Sequence, residues 1–476
     1  MIALTSCAGK RIAVFGLGGS GLATARALAA GGAEAHLWDD NPRARQRAAD
    51  AGFTLTDLER ADWRGFDSLA IAPGAPLTHP APHWSVERAR QANVEVIGDI
   101  ELFCREREKI APQAPFIAIT GTNGKSTTTA LTAHLLFEAG ADVQLGGNIG
   151  TPILDLDPPD RDRFHVIEVS SFQIDLAPSL RPTVGMLLNL SPDHIDRHGS
   201  MELYAGVKER LIAQAQTAIV SVDDGWCWRI GERRRLRKLR DSAAATIPVS
   251  VDRELARGVF RDGAQIVSTL DGADRRVLCD LAGVGSLRGR HNAQNAAFAA
   301  ACADLWSYPD GVLAGAARTF PGLPHRMEEV ARAGRVLYVN DSKATNAEAA
   351  ACALSSFDDI FWIAGGRAKE GGIGGLMGLM DRVRKVYLIG EAAPEFGRML
   401  QGRAEAIRCG TLEAAVAAAS ADARTSFARE PVVLLSPACA SYDQFTDYES
   451  RGDRFRKVVR EMLAAGPRAR SPEMLR

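Results

Sequence analysis

The stretch FIAITGTNGKSTTTAL, residues 116–131, decides how the rest of the chain is read. Its apolar start, Phe116-Ile117-Ala118-Ile119, predicts a buried strand. Gly121, Thr122, Asn123 and Gly124 predict a tight turn, and Lys125, Ser126 and Thr127 open a Thr/Ala/Leu helix. Together these form a phosphate cradle. Backbone N–H groups and the helix N-terminus hold anionic oxygens, the lysine adds a point charge, and the hydroxyl takes Mg²⁺. The loop TGTNGKS is shorter than a Walker A loop, because Ile119 stands where that pattern places its first glycine. A plain glycine turn with a surface lysine does not account for the strand before it and the helix after it. The expectation is a chain that consumes a nucleoside triphosphate.

Outward from this loop, 476 residues predict two to four domains. The net charge of −1 supplies no field for nucleic acid or an anionic membrane. The eight cysteines are scattered without a C-x-x-C, so neither a disulfide framework nor a zinc site is signalled. No apolar run approaches the ~20 residues of a membrane span. The start, MIALTSCAGKR, runs into its first strand without a signal-peptide pattern. These features predict a cytoplasmic protein with no nucleic-acid and no membrane partner.

Upstream, RIAVF (11–15) predicts a strand, followed by Gly16-Leu17-Gly18-Gly19-Ser20-Gly21, an Ala-rich helix to about Ala30, and a strand at 34–38 ending in Asp39-Asp40. This is a βαβ start with a G-x-G-x-x-G turn. A strand at 67–72 ends in Pro73-Gly74. The charged, Pro-containing segment 103–115 is expected to be a linker. Downstream, strands are predicted at 166–169, 184–190, 336–340, 360–364, 386–389 and 432–435, alternating with helical sequence. That alternation predicts an α/β protein of three domains with mainly parallel sheets: 1–103, 104–322 and 323–476. The basic run ERRRLRKLR (232–240) is short and lacks interleaved aromatics, so a solvated helix face is expected.

Alone, the first glycine motif with Asp39 points to NAD. Its physics requires only a pyrophosphate at the helix N-terminus and a ribose or base partner at the next strand end, so a UDP-sugar fits as well. Glu168 ends an apolar run beside the phosphate loop, where a carboxylate suits Mg²⁺; the alternative is an edge-strand glutamate facing water. His194 and His198 have helical spacing. They lack an HExxH glutamate and a third ligand nearby, which argues against zinc. Lys208, in YAGVKERL, has the local pattern of a solvated helix lysine. Asp341-Ser342-Lys343-Ala344-Thr345-Asn346, Gly365-Gly366-Arg367-Ala368-Lys369 and Ser436-Pro437-Ala438-Cys439-Ala440-Ser441 all follow predicted strands, and three such clusters in one domain predict a shared cleft.

In order, TGTNGKST, EVSSFQ, DHIDRH, GRHNAQNA, PGLPHR, NDSKATN, GGRAKEGG and SPACASYDQF resemble the Mur ligases of peptidoglycan synthesis, most closely the D-glutamate-adding type. The resemblance runs from the first strand to near residue 460. It implies a Rossmann-like N-terminal domain for UDP, a central P-loop ATPase domain, and a C-terminal Rossmann-like α/β domain for the amino acid. It implies that ATP phosphorylates the carboxylate of UDP-MurNAc-L-Ala and that D-glutamate attacks the acyl phosphate. It also implies a place in cell-wall biogenesis, and thereby in cell shape and division.

By position, the resemblance assigns Gly18, Gly19, Ser20, Asp39 and Gly74 to UDP, and Asn148 to the UDP-sugar or its activated carboxyl. Gly121, Thr122, Asn123, Gly124, Lys125, Ser126 and Thr127 go to the ATP phosphates, Asn292 and Asn295 to adenine, and Arg326 and Asp341 to the ATP side of the third domain. Ser126, Glu168, His194 and Lys208 are assigned to two Mg²⁺ ions, with Lys208 carbamoylated. Lys343, Thr345, Lys369, Ser441 and Tyr448 go to phosphate and amino-acid binding. Lys125, His194, Lys208 and Lys343 carry the catalytic roles. The chain is expected to be a monomer. Tyr442 and Tyr448 depart from the Leu or Phe of relatives, and the stretch between Lys208 and Asn292 is longer than usual. DNPR (40–43) is expected to be a helix start, with an Asp/Asn cap and Pro42 in the first turn.

Overall fold

The computed structural model describes residues 1–238, 245–272, 274–309, 311–369 and 371–465. Leu239 and Arg240 of the basic run, Glu370 of the GGRAKEGG segment and the tail from 466 lie outside the described residues. The chain forms two compact units: 1–282 with 293–319, and 283–292 with the chain from 320 onward.

The first unit holds two sheets. One has four parallel strands in the spatial order Glu34–Trp38, Arg11–Phe15, Ser68–Ile71, Glu95–Ile97. The other has nine. Its parallel part runs Ala245–Ser250, Thr217–Ser221, Val184–Leu187, Phe116–Thr120, Arg163–Glu168, Asp142–Gly147. Beyond Ala245–Ser250 lie Val259–Asp262, Gln265–Ser268 and Arg276–Asp280, the last two pairings antiparallel. Phe116–Thr120 is completely buried because strands flank both its edges. The chain leaves it for one side of the sheet and later returns to the other, so the strand sits at a switch point, where α/β sheets open a crevice.

The expected linker is not one. Residues Asp99–Ile110 form a helix, with Phe103, Cys104, Glu106 and Arg107 buried. Its charges are matched by hydrogen-bond partners, those of Glu106 about a hundred residues away in sequence. Glu106 accepts from Thr5 Oγ1 and Ser6 N (both 2.7 Å), and Arg107 Nε donates to the carbonyl of Ala114 (2.8 Å). Phe103 joins one apolar core with Leu28, Phe116 and Leu187. The DNPR segment is the expected helix start. Asn41 Oδ1 accepts from Arg43 N (2.9 Å), and Pro42 opens the helix Pro42–Asp50.

The second unit has one six-stranded sheet in the order Glu328–Ala333, Val336–Asn340, Val432–Leu435, Ile360–Gly365, Val383–Ile389, Ala406–Gly410. Only the first pairing is antiparallel. The three central strands therefore end on the same side, and each leads into one of the polar clusters singled out from sequence.

Candidate active site

The phosphate loop is fixed from both flanks. Gly124 lies at φ +84° and caps the helix Lys125–Glu138; a Cβ there would stand 2.4 Å from Asn295 Oδ1. No side chain fits this turn, in conformation or in space. Asn295 Oδ1 also accepts from Thr128 Oγ1 (3.1 Å). Asn189 holds the loop like a second strand: its Oδ1 accepts from Asn123 N (2.8 Å), and its Nδ2 donates to Asn123 O (3.1 Å) and Gln294 Oε1 (3.2 Å). Thr122 Oγ1 meets the Tyr204 hydroxyl (3.1 Å) and the Ser191 carbonyl (3.1 Å). Sequence reading gave no role to Tyr204 or Gln294. Their contacts to the loop segments bridge wide sequence separations, so no local pattern marks them.

Two lysines converge on one carbonyl. Lys125 Nζ donates to Gly121 O (3.1 Å) and Thr122 O (2.8 Å). Lys208 Nζ donates to the same Gly121 O (2.8 Å) and to Thr120 Oγ1 (3.0 Å). Lys208 is not solvated as its local sequence suggests: it is only 1% exposed. Burial first, and then the positive charge of Lys125, hold its pKa well below the ordinary lysine range. Ser126 is buried at the helix start.

Glu168 pairs in register with Ile119 and is 2% exposed. It is not an edge residue facing water. Its Oε1 accepts from Asn148 Nδ2 (2.8 Å), whereas Oε2 is buried without a hydrogen-bond partner. A buried carboxylate oxygen with no donor is costly unless a cation meets it. Beside a triphosphate cradle, it fits Mg²⁺ with oxygen ligands. Among the described residues, no group of three or more His, Cys, Asp or Glu is placed to hold a metal. The set assigned from sequence instead mixes hydroxyl, carboxylate, imidazole and lysine.

The two histidines part company. His198 is buried, lies 2.9 Å from Ser171 Oγ and stacks on Phe172. His194 has φ +53°, a half-exposed side chain and Asp193 at 3.4 Å.

On the four-stranded sheet, Gly18 and Gly19 begin the helix Gly19–Ala30, and a Cβ on either would meet nothing within 4 Å. Ser20 lies in the first turn of that helix. Asp39 braces the loop: Oδ2 accepts from Leu17 N and Oδ1 from Asn41 N, both at 2.7 Å. Gly74 O accepts from Arg197 Nη1 (3.0 Å).

In the second unit the three strand-end loops are tied together. Arg367 and Ala440 exchange backbone hydrogen bonds (2.9 and 3.1 Å). Asp341 Oδ2 accepts from Ser436 Oγ (2.8 Å) and Oδ1 from Met327 N (3.2 Å). Burial raises the Asp341 carboxyl to about 7. Lys343 Nζ donates to the Tyr448 hydroxyl (2.6 Å) and lies 4.1 Å from its ring centre. Arg326 is flanked by His325 (φ +61°) and Met327 (φ +47°), two non-glycine residues in the left-handed region. That backbone costs free energy and is a hallmark of functional loops. Arg451, missed from sequence, is buried; it donates to Ser342 Oγ (3.0 Å), Ser342 O (2.8 Å) and Cys439 O (3.0 Å). Thr345 N donates to Lys343 O (2.8 Å), Ser441 is buried and Lys369 is exposed. Asn292 Nδ2 donates to Arg288 O (3.0 Å) and belongs to this unit, whereas Asn295 belongs to the first.

Comparison with known proteins bears on the whole chain. Residues 119–303 match the family described as Mur ligase middle domain, and 325–439 match Mur ligase, glutamate ligase domain. A Nitrobacter winogradskyi protein named UDP-N-acetylmuramoylalanine--D-glutamate ligase is 59% identical over 470 residues, covering 98% of this chain and 100% of the relative. A Brucella abortus protein of the same name is 56% identical, covering 96% and 97%. Among solved structures, the Thermotoga maritima UDP-N-acetylmuramate-alanine ligase superposes with a TM-score of 0.58 at 16% identity, over 96% of this chain and 100% of that one. A pseudomurein peptide ligase type C from Methanothermus fervidus gives 0.56 at 18%, over 95% and 100%. These two likenesses speak to the fold, and the high-identity relatives to kinship: the chain belongs to the Mur ligase family.

Proposed function

We propose that the chain is the ATP-dependent amide ligase that joins D-glutamate to UDP-N-acetylmuramoyl-L-alanine in peptidoglycan precursor synthesis. The carrying observation is the end-to-end match to D-glutamate ligases at 59% identity. A carboxylate does not react with an amine at neutral pH. Transfer of the γ-phosphoryl group of ATP to a carboxylate oxygen, with ADP leaving, supplies a leaving group. The D-glutamate nitrogen then bonds to the acyl carbon as phosphate departs and the amine gives up a proton. The site must neutralise charge on the phosphoryl group in flight. Lys125 and the loop N–H groups are suited to that task.

Glu168, Ser126, His194 and Lys208 are the residues that would hold Mg²⁺, which supplies charge neutralisation on the phosphates. Lys208 is carbamoylated in this proposal. An ammonium cannot ligate a metal, but burial favours its neutral amine. Attack of that amine on CO₂ forms an N–C bond, releases one proton and leaves a carbamate anion. Lys208→Ala should lose activity, with partial recovery in a short-chain carboxylic acid; absence of rescue removes the carbamate.

Three functional domains follow, 1–103 for UDP, 104–322 for ATP and 323–476 for the amino acid, with Lys343, Thr345, Lys369, Ser441 and Tyr448 toward D-glutamate. Glutamate brings two carboxylates, which suit a Lys/Ser set. The enzyme works as a cytoplasmic monomer; light scattering at assay concentration checks its mass. Among the described residues, no helix is long and apolar enough to cross a membrane. The decisive assay is ADP release with a panel of amino acids. Turnover with L-alanine, diaminopimelate or L-glutamate, and none with D-glutamate, would overturn the assignment.

A further inference from the structure

The basic run starting at Glu232 has no role assigned so far, yet it is not simply a solvated face. Its described residues, 232–238, lie on the helix Gly225–Lys238, which packs against the helix Met201–Gln214 that carries Lys208. Arg234 is 3% exposed. Its Nη1 donates to the carbonyls of Ile212 (2.8 Å) and Ala213 (3.1 Å), and its Nη2 to those of Ala215 (2.8 Å), Gln216 (3.1 Å) and Ala245 (3.4 Å). The last carbonyls of a helix have no partner within it. Here the following residue, Ala215, is extended (φ −62°, ψ 146°), and the last turn carries no basic side chain of its own. The guanidinium of Arg234 therefore does the work that a left-handed C-terminal glycine does elsewhere.

The run takes a second hold at Glu209, the residue after Lys208. Arg233 pairs with it in a two-pronged contact (3.0 and 2.6 Å), and Arg237 approaches to 3.8 Å. Arg235 pairs with Glu232 on its own helix. The N-terminal half of the 201–214 helix is fixed separately, by the Ser200 side chain on Leu203 N (3.3 Å) and by Tyr204 against Thr122 (3.1 Å).

We propose that Arg234, aided by Arg233 and Arg237 on Glu209, is a positioning clamp that sets the C-terminal half of the 201–214 helix and through it the placement of Lys208 beside the phosphate loop. This rests on the assignment of Lys208 to the active site. Lys208 stands one turn before Ile212, whose carbonyl Arg234 holds, so release of that turn moves the lysine while leaving the phosphate loop, anchored by Asn189 and Asn295, in place.

The test combines hydrogen exchange with kinetics on the full-length enzyme. Arg234→Met should speed amide exchange in peptides covering 208–217 by about tenfold and leave the 125–138 helix unchanged. Its kcat should fall about tenfold or more, with KM for D-glutamate and for UDP-MurNAc-L-Ala within about twofold. Arg234→Lys should recover part of both, and Arg235→Ala should match the parent. Faster exchange with unchanged kcat, or protection lost equally from both helices, would overturn the clamp. If Arg234→Met does not fold, Arg234→Lys carries the same comparison. Lys208→Ala separates the two ideas. If it is inactive while Arg234→Met keeps its kcat and its protection, the clamp alone fails. If it turns over normally, the assignment of Lys208 fails and takes the clamp's functional role with it.

Discussion

The first unit contains two glycine loops of the same local design, a strand, a glycine turn and a helix, and they differ in the charge that surrounds them. In the first, Gly16 and Gly21 are structural. A Cβ on Gly21 would lie 1.8 Å from Gly16 O, and one on Gly16 would lie 2.5 Å from Ala72 Cβ. Gly18 and Gly19 face open space, and Asp39 spends its carboxylate on the backbone N–H groups of Leu17 in the loop and Asn41 beyond the next strand. Nothing in that loop carries a charge; in the proposed function it seats the diphosphate of the UDP substrate. The second loop has two lysines on one carbonyl and the Glu168 strand as its neighbour in the sheet, with one buried carboxylate oxygen unpartnered. In the proposed function a glycine-rich turn seats phosphate, whereas the chemistry also needs charged side chains gathered around the turn.

The largest test of this contrast is Lys125→Ala. ADP release should fall by about 10³-fold or more, because the phosphoryl transition state loses a positioned charge. Affinity for the UDP substrate, measured by calorimetry, should stay within about twofold. Equal loss of both would erase the distinction between the loops. Glu168→Gln comes next. The amide keeps an oxygen for Asn148 but loses the charge, so turnover should drop about 10²-fold and half-maximal activity should need more Mg²⁺. An unchanged Mg²⁺ requirement would take Glu168 out of the metal site.

In the first loop the expected effects are smaller and of another kind. Gly21→Ala should destabilise the protein by about 2–3 kcal/mol through overpacking, read as a lower denaturation midpoint. An unchanged midpoint would mean the turn has slack. Gly18→Ala should leave stability within about 0.5 kcal/mol, since its φ of −76° suits alanine and the space is open. KM for the UDP substrate should rise about tenfold, equivalent to about 1.4 kcal/mol. No change in KM would place the diphosphate elsewhere.

Much of this was legible in sequence for a clear reason. Strands Arg11–Phe15, Glu34–Trp38, Val336–Asn340 and Val432–Leu435 have the ends expected of them, because an apolar run bounded by turn residues is local information. Edge strands such as Asp142–Gly147 and Ala406–Gly410 escaped, since half-exposed strands carry a weak apolar pattern. The segment 103–115 read as a linker because its charges are matched by residues as distant as Thr5 and Ser6.

The chain's sequence by itself determined the α/β alternation, both glycine turns and the ligase family, because each depends on residues close together or on ordered motifs. Tertiary structure alone decided which charges are buried. Lys208, read locally, is an ordinary surface lysine, and Arg234 is one letter in a basic run. Folding places the first beside Lys125 at a strand end and the second under a helix terminus. Burial and charge proximity are properties of packed elements, and no stretch of sequence holds both partners.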